Sequence, residues 1–352
     1  MFVTLAEQQI EKTMAPIQLQ EVFKTSGVPT YTFVPPIDYN RIIVNLRTPG
    51  RALVVEGPSG IGKTTAIKKA IEGLGLQQKV TELKATRPSD AEIIRDLPNI
   101  GEFGIVFIDD FHRLDDATKA AIADYVKTLA DAEQQNAKVI IVGINEAGRS
   151  LINFAPDLVN RIDTVKFENN PDEKILDLIQ KGEAALNVEF NCHDNIIEDA
   201  SGGFYLAQML CNELCQKADV LEACSTKKEL VVSFEGAKSA IWSRLDEKFG
   251  DHAKRFALGS RYRPEGRAPY LHLLHGLANS DKWHLDIKQY ARTNPDMRLS
   301  VMQVFDKGFL ADLFLTNPTL SSVLHLDKRA GKIIVEDPQF LFYLRNMPWQ
   351  SF

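Results

Sequence analysis

Residues 57–64 read Gly57-Pro58-Ser59-Gly60-Ile61-Gly62-Lys63-Thr64, and this stretch decides the reading of the chain. It fits GxxxxGK[ST], a loop whose glycines let successive backbone N–H groups turn inward toward phosphate oxygens. Lys63 supplies a point charge for the β- and γ-phosphates, and Thr64 a hydroxyl for Mg²⁺. The flanks agree. Residues 51–56 (RALVVE) form a short apolar run of the kind a buried strand shows, and 65–71 (TAIKKAI) read as a helix that Gly73 and Gly75 stop. Strand, loop and helix follow in the order that sets phosphate at a helix N-terminus. The expected binding set is Gly57, Pro58, Ser59, Gly60, Ile61, Gly62, Lys63, Thr64 and Thr65.

Working outward, the 352 residues leave room for two or three compact units. A 44% hydrophobic and 25% charged composition is that of an ordinary globular protein. No apolar run approaches the length needed to cross a bilayer, and the first fourteen residues lack a cationic start followed by an apolar block. A cytoplasmic protein with no membrane contact is expected. The net charge of −6 gives no general pull toward nucleic acid, so any DNA contact needs a local basic patch. Of the four cysteines, Cys211 and Cys215 share a helix face. With His193 they offer zinc donors, but the spacing matches no common zinc module and fits small side chains packing a helical core better.

Five apolar segments, 51–56, 79–83, 104–109, 138–143 and 164–167, alternate with helix-like ones. This spacing predicts an α/β fold, a five-stranded parallel P-loop NTPase sheet with helices on both faces. Ser89-Asp90-Ala91-Glu92 reads as a capping box, and Asp115-Asp116 suit the positive end of an alanine-rich helix over 117–130. After 168 the strands are expected to stop. Asn170-Pro171-Asp172-Glu173 reads as an N-cap followed by proline at the first helical position, opening a helical lid over 169–248. Residues 254–267 hold Lys254, Arg255, Arg261, Arg263 and Arg267 against only Glu265, which predicts a basic linker or loop over 249–267. The remainder, 268–352, reads as three helices, the third over 300–316, and a hairpin turning at Asp327–Gly331, the order of a winged helix. An N-terminal segment (1–40) and the P-loop core (41–168) complete the expected domains.

A phosphate loop needs an acid for the metal and a group that orients water. Gly104-Ile105-Val106-Phe107-Ile108-Asp109-Asp110 ends in an acidic pair at a strand's C-terminal end, where open α/β sheets bind ligands. Asp109 is expected to hold Mg²⁺ through water, and Asp110 to polarise the attacking water. The plainer reading of the pair is a helix cap.

The order of phosphate loop, acidic pair, Val142-Gly143-Ile144-Asn145 and Asn160-Arg161-Ile162-Asp163 resembles the AAA+ ATPases. It is most similar to their origin-recognition initiator branch and to the related STAND and archaeal-type ATPases. The likeness runs over roughly 30–250 and continues at 336–345 (EDPQFLFYLR). It implies ATP and Mg²⁺ as cofactors. It implies that Asn145 senses the γ-phosphate or the attacking water. It implies that Arg161, with Arg149 as the competing choice, is an arginine finger placed in a neighbour's site, and hence a head-to-tail homo-oligomer. It sets Val34-Pro35-Pro36-Ile37-Asp38-Tyr39 along the adenine, with Tyr39 in the wall; a core-packing Tyr39 is the alternative. ATP over GTP rests on this likeness alone.

The chain departs from the family pattern twice. Asp110 stands where the family has Glu, which implies slow hydrolysis. The lid stretch Ser201-Gly202-Gly203-Phe204-Tyr205-Leu206-Ala207 carries no sensor arginine, leaving His272 or His275 as candidates for that contact. The implied function is an ATPase whose nucleotide state controls self-assembly and engagement of a protein effector, with bacterial antiviral defence as one setting. The alternative is a DNA-binding ATPase of replication initiation, loading or transposon target selection, meeting DNA through the winged helix, Lys328, Arg329, Lys332 and the 254–267 segment. Asp306 and Asp312 on the third helix speak against DNA readout.

Overall fold

The computed structural model describes residues 16–101, 103–134, 136–143, 151–152, 154–259 and 268–349. Asn145, Arg149 and the arginines at 261, 263 and 267 lie outside the described residues.

Strands β1 (Ala52–Glu56), β2 (Val80–Lys84), β3 (Ile105–Asp109), β4 (Lys138–Gly143) and β5 (Ile162–Lys166) form one sheet in the order β2-β3-β4-β1-β5. Every pairing is parallel, with Leu53 opposite Ile140 and Val54 opposite Thr164. The edge strands β2 and β5 carry Thr81, Glu82, Asp163 and Thr164, while the apolar runs of the inner strands β1, β3 and β4 are unbroken because both faces are covered. The pleat still sorts them: Leu53, Val55, Phe107, Ile140 and Val142 enter one core, and Val54, Val106, Ile108, Val139 and Ile141 the other. Short α1 (Leu19–Val22), α2 (Tyr39–Arg47) and α3 (Lys63–Gly73) pack in the first core; α4 (Pro88–Ile100) and α5 (Asp116–Asp131) cover the second.

Helix starts show which local signals won. Asp115 caps α5 by accepting from Thr118 N–H at 2.8 Å, as expected. The capping box at Ser89 does not form. Proline at position 88 opens α4 two residues earlier, with Arg87 as N-cap, and Asp90 turns back to accept from Lys84 N–H at 3.0 Å.

Strands do not stop at 168. The helical module runs α6 (Asp172–Leu186), β6 (Val188–Phe190), α7 (His193–Ala200), α8 (Phe204–Lys217), β7 (Lys228–Leu230) and α9 (Phe234–Leu258), with β6 and β7 paired in parallel. Such three-residue strands are too short for an alternation to stand out in sequence. Pro171, not Asn170, is the N-cap of α6; Asn170 instead donates its side-chain N–H to the Gly202 carbonyl at 2.8 Å. The expected boundary at 248/249 falls inside α9, which continues until Gly259 (φ 66°) ends it. There Lys254 and Arg255 are helical, and Arg255 pairs one turn back with Asp251 at 2.6 Å. Cys211 and Cys215 are buried on α8.

The C-terminal module has the order α10 (Pro269–Ala278), β8 (His284–Asp286), α11 (Ile287–Thr293), α12 (Pro295–Asp306), α13 (Phe309–Thr316), β9 (Leu324–Asp327), β10 (Lys332–Val335) and α14 (Pro338–Arg345). Its sheet is antiparallel, β8-β10-β9. The single helix expected over 300–316 is broken, because Gly308 turns to φ 78° between α12 and α13. The strand β8 was not foreseen. No helix among the described residues is long and apolar enough to cross a membrane.

Candidate nucleotide site

β4 lies between β1 and β3, so the loop after β1 and the acids ending β3 flank the C-terminal end of β4. A cavity of about 300 Å³ opens there. Ser59, Gly60, Gly62, Lys63, Thr64 and Thr65 line it from the loop and α3, and Asp109, Asp110, Val142 and Gly143 from the sheet. Gly57, Pro58 and Ile61 of the expected set shape the loop from behind. Gly57 must lack a side chain, since a Cβ there would sit 2.5 Å from the Phe167 carbonyl. Gly62 supplies φ 104° at the N-cap of α3.

Lys63 is only 8% exposed, and its ammonium donates to the carbonyls of Gly57 (2.7 Å) and Pro58 (2.6 Å). Burial takes its pKa down to about 8 although Glu336, Asp109 and Asp110 pull it upward. The Thr64 hydroxyl donates to Asp109 Oδ2 at 3.2 Å, and Asp109 Oδ1 accepts from Asp110 N–H at 3.0 Å. Burial, then repulsion from Asp110, raises the Asp109 pKa. A hydroxyl and a carboxylate side by side are the hard oxygen donors that suit Mg²⁺. Asp110 holds a left-handed backbone (φ 58°), a conformation that costs a non-glycine residue energy and recurs at functional sites. His112, one 3-10 turn on, also lines the cavity; burial keeps it neutral, with a pKa of about 4.

The far end of the cavity is apolar. Pro29, Phe33, Val34, Pro36 and Leu178 form it, with Thr32, Lys24 and Gln208. Tyr39 is not in this wall. It stands edge-on behind Phe33, ring centroids 5.6 Å apart, so the aromatic surface offered to a base is that of Phe33. From the helical module, Phe204 and Tyr205, on the stretch that carries no sensor arginine, close over the loop. His272 and His275 do not line the cavity; His275 packs edge-on against Trp349.

Arg161 is elsewhere. It directly precedes β5, whose first residue pairs with Ala52 at the start of β1, while the phosphate loop follows the end of β1. A strand of this length separates the two ends by about 16 Å. Arg161 donates to Asp131 Oδ1 (2.5 Å) and to the Asp157 carbonyl (2.7 Å).

Sequence reasoning missed Glu336. It follows β10, is 2% exposed, and its carbonyl accepts from Ser59 N–H at 2.7 Å. The C-terminal module thus reaches the tip of the phosphate loop. It also grips the helical module: Trp283 Nε1 donates to the Ser201 carbonyl at 3.0 Å, and Arg345 donates to the Ser201 hydroxyl. No short-range pattern announces a contact between residues 59 and 336.

Residues 53–167, about a third of the chain, match the family described as ATPase family associated with various cellular activities (AAA). Among solved structures, the chain is similar to the ORC1 protein of Aeropyrum pernix in complex with DNA, at 12% identity over 95% of this chain and 97% of that one, with a TM-score of 0.49. It is similar to the Aeropyrum pernix ORC2 protein (ADPNP–ADP complexes) at 11% identity, over 94% and 98%, TM-score 0.49. A RuvB variant of Thermotoga maritima follows at 13% identity, over 89% and 93%, TM-score 0.42. At such identities none of these likenesses assigns a role to a residue of this chain.

Proposed function

We propose that this protein is a Mg-ATP-binding, slowly hydrolysing ATPase of AAA+/STAND type, whose nucleotide state sets the position of its C-terminal winged helix and thereby its self-assembly. The observation that carries the reading is the convergence of Lys63, Thr64, Asp109 and Asp110 on one cavity. Lys63 binds the β- and γ-phosphate oxygens, and the loop N–H groups share the remaining charge. Thr64 and Asp109 would hold Mg²⁺, which supplies charge neutralisation along the triphosphate. Asp110 orients water and takes up its proton, with a side chain one methylene shorter than glutamate. The place of Arg161 at the opposite end of the sheet excludes service in its own site and supports a role in a neighbour's, after exchange of its Asp131 partner. Helices α6–α9 act as the lid.

The contact between Ser59 and Glu336 couples the two ends of the chain. The Glu336 carboxylate bears on the Lys63 ammonium, the group a γ-phosphate needs. Triphosphate binding therefore competes with the seated C-terminal module. Sedimentation with and without a slowly hydrolysed ATP analogue and magnesium tests this. A larger or more extended particle is expected with nucleotide; unchanged size and shape contradict the coupling. A second reading, a DNA-binding ATPase, is favoured by the β9–β10 turn, where Asp327 accepts from the N–H groups of Arg329 and Ala330 and leaves Lys328 and Arg329 exposed. Duplex DNA added to the same sedimentation, with binding that falls steeply as salt rises, moves the reading there.

A further inference from the structure

At the apolar end of the cavity two polar side chains are buried, Thr32 (1% exposed) and Gln208. Gln208, on α8, is 4% exposed and lines the cavity with Thr32, Phe33 and Leu178. Its amide orientation follows from a chain of forced hydrogen-bond roles. The Val22 carbonyl can only accept, so the Thr32 hydroxyl spends its one proton there, at 3.0 Å. Thr32 Oγ1 is left as an acceptor, so the Gln208 atom 2.6 Å from it must be the Nε2 donor. Gln208 Oε1 is therefore a fixed acceptor on the other side of the amide. Among the described residues nothing donates to it.

A buried acceptor without a donor is unfavourable until a ligand brings one. The surroundings say which. Phe33 offers an aromatic ring and Pro29, Val34 and Leu178 apolar walls, surroundings that suit a planar base. Adenine carries an N6 amine, a donor, where guanine carries the O6 acceptor, which Oε1 would repel. We propose that Gln208 reads the exocyclic amine of adenine and is the residue that selects ATP over GTP. The inference rests on the nucleotide-site reading above, and its test separates the two.

Wild-type protein is titrated by calorimetry, with magnesium, using non-hydrolysed forms of ATP, GTP and purine riboside triphosphate, which lacks the N6 amine. ATP is expected to bind about tenfold more tightly than the purine riboside compound, and GTP more weakly still. In Gln208→Leu the advantage of ATP over the purine riboside compound should fall to about onefold. Equal binding of ATP and the purine riboside compound to wild type, with Lys63→Ala binding neither, overturns the role of Gln208 and leaves the site intact. A wild-type preference that survives unchanged in Gln208→Leu also overturns it. If wild type binds no purine triphosphate, both readings fail. The wild-type ligand series decides the matter even where the variant does not fold.

Discussion

Lys63 is surrounded by protein carbonyls, and desolvation has taken its pKa to about 8. A bound triphosphate adds negative charge at the same place and raises it again. Above about pH 8 the empty protein has shed this proton and the complex has not, so binding takes a proton up and affinity falls as pH rises. Below about pH 7 both states hold the proton and Lys63 adds no pH dependence. Titrations at about pH 7 and about pH 9, in buffers of differing ionisation enthalpy, read the uptake directly; an affinity that stays level or climbs toward alkaline pH contradicts this placing of the charge. Lys63, Thr64 and Asp109 were legible in sequence because each sits in a local pattern that dictates its own backbone. Phe33, Gln208 and Glu336 were not. They reach the cavity or its loop only after separate stretches of chain fold together, and no spacing rule links them.

Among the elements, the sheet was readable because the inner strands β1, β3 and β4 are apolar runs and helix-like sequence separates all five strands. Only the ends moved, by a residue or two. The joint between sheet and helical module was harder. It is built on a close backbone approach, with Asn170 N–H and side chain both bonded to the Gly202 carbonyl. Gly202 has φ 78°, and a Cβ there would lie 2.6 Å from the Asn170 carbonyl. Gly202→Ala should therefore push the two segments apart and cost about 1–3 kcal/mol, seen as a lowered thermal midpoint. A variant as stable as its parent would show that the joint tolerates a wider gap. The same contact explains why Asn170 does not cap α6: its amide is engaged across the joint. Lys254 and Arg255 misled in the opposite direction, since a long helix can carry i,i+4 pairs such as Asp251–Arg255 as easily as a loop can carry free charge.

Across the whole molecule, one apolar core joins the near face of the sheet, the helical module and the C-terminal module. The phosphate loop lies where all three meet, with Phe204 and Tyr205 above it and Glu336 at its tip. A ligand that enters there presses on every module at once, which is the physical basis of the proposed coupling of nucleotide to assembly. All of this presupposes that the cavity takes magnesium and nucleotide together. Isothermal titration of Mg-ATP analogue into wild type and Lys63→Ala, each with and without chelator, measures that most directly. Saturable, magnesium-dependent binding to wild type, weakened at least about tenfold in Lys63→Ala, is the predicted result. Binding that is absent from wild type, or equal in the two proteins, would contradict the account.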